Sequence, residues 1–188
     1  MSVEMMYLNG EISKHEEELK QLKKVRNGIM KFYRTEADYT MGVMMIINFL
    51  ECRTKDLHYA TAETTTNNFE KFKKETRDNG YITVSRDGCD NSIYGEARLN
   101  ILARLWHDMW HLELNAPFDA DGEELVAEAQ CQEMTDWLRS ENVTERSTEA
   151  ARNILYRDIM SQVEYYAKYN RFVPYQELFI KSDHLNNY

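Results

Sequence analysis

The chain has 188 residues, 43% of them apolar, and a formal net charge of -9. That length supports a single domain over residues 1–188 with a substantial core and leaves little room for a second. The acidic balance argues against nucleic acid as a main ligand, because phosphate binding needs a basic surface, and no apolar run is long enough to span a bilayer.

In chain order, Glu11 to Tyr33 reads as a long amphipathic helix whose stripe is Ile12, Leu19, Leu22, Val25, Ile29 and Phe32. The residues before it, Met1-Ser-Val-Glu-Met-Met-Tyr, lack the basic start and apolar stretch of a signal peptide. A second helix is expected over about Asp38 to Cys52, and a short amphipathic one over Phe69 to Arg77. Asn79-Gly80 breaks that pattern. Tyr81-Ile-Thr-Val-Ser85 alternates like a strand, Asp87-Gly88 reads as a turn and Ser92-Ile-Tyr94 as a return strand, so a small β-hairpin is expected near residues 81–94. Three helices follow, over about Glu96–Leu114, Glu123–Arg139 and Ser147–Tyr169, and Pro174 is expected to end helical structure near the tail. The class is mainly α, a single-domain helical bundle with one minor hairpin. Cys52, Cys89 and Cys131 are odd in number and widely spaced, which suggests neither a disulfide framework nor a cysteine zinc knuckle and points to a reducing cytoplasm.

The stretch from Asn100 to His111 carries the chemistry. Leu99, Ile101, Leu102, Leu105, Trp106, Met109, Trp110 and Leu112 make it apolar nearly all round, as a buried helix is. Yet Asn100, Arg104, His107, Asp108 and His111 recur at steps of three and four and share a face. An unpartnered buried polar group costs roughly 1–3 kcal/mol, so this stripe is either satisfied by other side chains or holds a metal or a substrate. His107 and His111 have the i, i+4 spacing that lets two imidazoles bind one ion. Asp108 stands where the His-Glu-x-x-His zinc hydrolases have a glutamate, which argues against peptidase chemistry. A carboxylate there can still act on a metal-bound water, or bind a harder ion such as Mn²⁺ or Fe²⁺. Arg104, one turn earlier, either pairs with a glutamate or clamps an anionic substrate group.

A third ligand is expected from the next helix. Glu128, flanked by Ala127 and Ala129, ranks first. Glu124 ranks second, since with Asp121 as N-cap it also fits an ordinary capping box. Glu123, in the first turn where the helix dipole favours carboxylates, ranks third. On the last long helix Asp158 reads either as a further ligand or a partner fixing an imidazole tautomer, or as part of a solvated face or a salt bridge.

Arg104-x-x-His107-Asp108-x-x-His111, followed by Phe118-x-x-x-Gly122-Glu123 with Ala127 and Gln130, resembles uncharacterised proteins of bacteriophages and bacterial mobile elements. Gln162-Val-Glu-Tyr-Tyr166 and Arg171-Phe-Val-Pro174-Tyr-Gln176 are similar to theirs too. The resemblance covers about the C-terminal half, implies a host cytoplasm if the chain is phage-encoded, and adds weight to Glu123. Two functions fit these residues. One is a small metal-dependent hydrolase acting on an anionic small molecule, in which His107, His111 and a glutamate hold a divalent ion (Zn²⁺, or Mn²⁺ or Fe²⁺) and Asp108 acts on the bound water. The other is an acidic, non-catalytic protein that binds and inhibits a host protein, with the stripe as a buried structural network.

Overall fold

Apolar residues at steps of three and four shape most of the chain into helices. The computed structural model describes residues 36–90, 92–170, 173 and 176–187, together with Lys20 and Lys23. The helix expected over Glu11–Tyr33 lies outside the described residues apart from those two lysines.

Residues 36–54 form the first described helix, α1, which buries Tyr39, Val43, Ile46, Phe49 and Leu50. These positions recur along one side of a 3.6-residue helix. A short strand follows (β1, Tyr59–Ala62), then α2 (Phe69–Asn79) and β2 (Ile82–Ser85). Three long helices come next, α3 (Ala97–Leu114), α4 (Ala120–Ser140) and α5 (Glu145–Tyr169), and α6 (Gln176–Asn187) closes the series. The protein is mainly α, with six helices and one two-stranded sheet among the described residues. No described helix is long and apolar enough to cross a membrane.

The expected hairpin is replaced by a β-α-β unit. β2 pairs in parallel with β1, Tyr59 opposite Ile82 and Ala62 opposite Ser85, and α2 supplies the crossover that parallel strands require. The segment read as a return strand, Ser92 to Tyr94, instead inserts Ile93 and Tyr94, both 5% exposed, into the core. Two consecutive buried side chains cannot belong to a strand that alternates between core and solvent. The strand partner was hard to see because Tyr-Ala-Thr-Ala carries little apolar signal.

The hydrophobic core gathers Ile46, Phe49, Leu102, Trp106, Met134, Leu138, Ile154 and Ile180 from α1, α3, α4, α5 and α6. A Cβ on Gly42 would lie 2.5 Å from Ile154 Cδ1 and 3.2 Å from the main-chain nitrogen of Ala151, so α1 crosses α5 closely at this glycine and a side chain there would require Ile154 to shift. The helix after Pro174 was not expected. α6 is anchored by Ile180, fully buried, by Gln176 bonded to Asp158, and by Lys181 paired with Glu36 of α1 at 2.7 Å.

Candidate metal centre

α3 ends on Asn115, which adopts the left-handed conformation (φ 51°). That turn brings the Ala116 main chain back over the last helical turn: its N–H bonds the His111 carbonyl at 3.0 Å, and its carbonyl lies 2.9 Å from His111 Nδ1. A carbonyl only accepts, so His111 Nδ1 donates, and in the neutral ring Nε2 is left with a bare lone pair. His107 is held in the same sense. Its Nδ1 lies 2.9 Å from Gln130 Oε1 on α4, which frees its Nε2.

The two Nε2 atoms face each other at 3.0 Å. Glu123 completes the group, with Oε2 3.0 Å from His107 Nε2 and Oε1 3.6 Å from His111 Nε2. Among the described residues, His107, His111 and Glu123 form a set whose ligand atoms all lie within 4.8 Å of one another. Three acceptors aimed at one point repel unless a cation joins them, whether a proton on His107 or a metal ion. Zn–N bonds of about 2.0–2.1 Å in a tetrahedron separate two nitrogens by about 3.3 Å, so an ion would need the pair to open by only a few tenths of an ångström. Ligating histidines characteristically donate their other ring N–H to a carbonyl or side-chain acceptor, and both do so here.

The electrostatics follow from this crowding. Burial works to lower the pKa of His107, but the hydrogen bond and charge of Glu123, with help from Gln130 and Asp108, outweigh it and raise it to about 9. Burial would raise that of Glu123, and the two imidazoles instead hold it well below the usual carboxylate range. Asp108 is pushed up to about 6 by burial, against the opposing pull of His107, His111 and Arg104. Asp108 makes no hydrogen bond among the described residues.

The back of the site is apolar. His111 is fully buried and meets the Phe118 ring edge-on at 4.7 Å, with Phe69 behind it at 6.3 Å. The side chains of His107 and Glu123, 22% and 21% exposed, form the open side.

Of the three glutamates expected as a third ligand, the structure brings Glu123 to the histidine pair and not Glu128 or Glu124. Glu128 and Glu124 are both exposed, and the Tyr156 hydroxyl donates to Glu124 at 3.4 Å on the far side of α4. The reason is the helix start. Asp119, not Asp121, is the N-cap, its side chain accepting from Gly122 N at 2.9 Å, so Glu124 is not the closing residue of a capping box. The face turned to α3 is then Glu123, Ala127 and Gln130, at steps of four and three. Ala127, fully buried, is the small residue on this face that permits α3 and α4 to approach closely.

Among the described residues Arg104 pairs with no glutamate and bonds no member of the cluster. Its Nη1 donates to the carbonyls of Ser85 (3.2 Å) and Asp87 (2.7 Å), tying α3 to the end of β2. Asn100 donates to the Cys89 carbonyl at 3.2 Å and pins the same loop. Asp158 is buried rather than solvated and accepts from Tyr94 Oη at 3.1 Å and Gln176 Nε2 at 2.7 Å.

One strong polar centre escaped the sequence analysis. Glu133 accepts from the indole N–H groups of Trp106 (2.7 Å) and Trp110 (2.8 Å) and pairs with Arg53. The signal was present: each tryptophan directly precedes a histidine, so a helix that presents both histidines to α4 presents both indoles one position away. Comparison with protein-family models, with curated proteins and with solved structures finds no match to this chain.

Proposed function

We propose that the protein is a small metal-dependent hydrolase whose ion is held by His107, His111 and Glu123. The observation that carries the reading is the convergence of three bare acceptor atoms, two of them fixed in the metal-ready tautomer by Ala116 and Gln130. Three protein ligands leave an open position for water, as in catalytic rather than structural zinc sites. Asp108, partly buried next to a ligand and without a hydrogen bond among the described residues, is the carboxylate left to deprotonate or orient that water. Imidazole and carboxylate donors suit Zn²⁺ first and Fe²⁺ or Mn²⁺ next. Arg104 is engaged with main-chain carbonyls, so an anionic substrate loses its main support.

The same distances favour a second reading. His107 and Glu123 already satisfy each other at 3.0 Å, as a structural ion pair in an acidic, non-catalytic binding protein would. Elemental analysis of the purified chain separates the two. About one divalent ion per chain, lost in His111→Ala, is expected. A chain free of metal that also takes up no Zn²⁺, Mn²⁺ or Fe²⁺ in equilibrium dialysis refutes the enzyme reading.

A further inference from the structure

The two histidines are oriented by unlike partners. His111 Nδ1 bonds a main-chain carbonyl, whereas His107 Nδ1 bonds the side chain of Gln130. A ring without such an acceptor can carry its neutral proton on either nitrogen, and one of the two tautomers presents N–H rather than a lone pair to an incoming ion. Gln130 is 1% exposed and lies two turns beyond Glu123 on one line of α4, with fully buried Ala127 between them. One helix face therefore carries both a ligand and the group that orients another ligand.

We propose that Gln130 is a positioning residue for the metal centre, acting as the acceptor that keeps the His107 proton on Nδ1 and delivers Nε2 to the ion. The inference rests on the metal reading above and adds the residue on which the site's affinity depends beyond its ligands. It also differs from a packing role in what it tolerates. For packing alone, methionine (apolar and of similar length) is an acceptable replacement in this buried position and a charged glutamate is not. For positioning the order reverses, since glutamate accepts a hydrogen bond and methionine is at best a weak acceptor.

The test uses Zn²⁺ as the probe, with affinities of wild type, Gln130→Met and Gln130→Glu measured by competition with a chromophoric chelator. The ¹⁵N spectrum of the Zn²⁺-loaded imidazoles reports which nitrogen binds. Gln130→Met is expected to weaken Zn²⁺ binding about 10–100-fold, the range for loss of a ligand's orienting partner. Gln130→Glu is expected to recover wild-type affinity or better, with His107 bound through Nε2 in wild type and in this variant. Wild-type affinity in Gln130→Met, or Gln130→Glu as weak as Gln130→Met, overturns the inference while leaving the metal centre standing. Failure of the wild-type chain to bind Zn²⁺ overturns both.

Discussion

Gly122 stands where the architecture and the site meet, and Gly122→Ala tests both. The residue is buried in the first turn of α4, directly before Glu123. A Cβ built on it would lie 1.9 Å from the Pro117 carbonyl oxygen, with the Pro117 carbonyl carbon at 3.0 Å and its nitrogen at 3.1 Å. The oxygen contact is more than an ångström inside the 3.0 Å that real Cβ atoms essentially never breach, and the obstacle is main chain, which cannot rotate away. On helix propensity alone alanine would stabilise by about 1 kcal/mol. Overpacking of this kind costs typically about 1–3 kcal/mol and occasionally more, and here the clash is severe enough to prevail. A net loss of about 1–2 kcal/mol in a chain of this size lowers Tm by about 2–8 °C. Relief requires the start of α4 to swing away from the 116–118 loop, taking Glu123 with it while His107 and His111 stay on α3. Thermal melts with and without Zn²⁺ therefore read two effects. The apo protein should melt lower than wild type, and the rise in Tm on adding Zn²⁺ should shrink. A variant as stable as wild type with an undiminished response to Zn²⁺ would refute the close approach and its role in placing Glu123.

Zn²⁺ at 100 times its Kd should stabilise the wild-type fold by about 2.7 kcal/mol, or about 5–10 °C in Tm, and His111→Ala should abolish the response; equal shifts in both proteins would place the ion elsewhere. Glu133→Ala leaves the Trp106 and Trp110 indoles and Arg53 without their shared acceptor, and should cost about 2–3 kcal/mol and change the tryptophan emission. Unchanged denaturation midpoints and emission would show that water replaces the carboxylate freely. Burial raises Asp158 to about 6 against its hydrogen bonds from Gln176 and Tyr94. The native state thus holds this proton over a range in which the unfolded chain has lost it, and stability falls as pH rises from about 4 to about 6. The contribution is about 3 kcal/mol, and Asp158→Asn removes it. Stability of the variant minus that of wild type should therefore climb across this window and level off above it, other carboxylates cancelling in the difference; a flat difference would contradict the burial argument.

Periodicity made the long helices legible, since Leu102, Trp106, Met134, Leu138, Ile154 and the other core residues sit at helical steps whatever they pack against. The strand pairing was not legible, because Tyr59–Ala62 and Ile82–Ser85 are joined through a helix and no local turn records that they meet. At the site, the histidine pair was readable because both histidines lie on one helix. The carboxylate was not, because choosing among Glu123, Glu124 and Glu128 needs the rotational phase of α4, and adjacent residues differ by about 100°. Asp119 and Gly122 set that phase. The cap fixes where the helix starts and the glycine fixes how closely it passes Pro117, but neither contact can be inferred until the loop's path is known.

α4 holds α3 on two sides of the histidine pair. Glu123 and Gln130 reach His107, while Glu133 holds the indoles of the residues that precede each histidine. Rotating α3 away from α4 would separate both tryptophans from Glu133, and His111 is packed edge-on against the Phe118 ring at 4.7 Å. The imidazoles and the Glu123 carboxylate are therefore held by contacts that require no ion. Such preorganisation would reduce the ordering cost of binding an ion at the proposed centre, with the partly exposed side formed by His107 and Glu123 as the direction of adjustment. A larger ion would require the two Nε2 atoms, 3.0 Å apart, to separate further than Zn²⁺ does, and the partly exposed Glu123 carboxylate is the group with room to follow it.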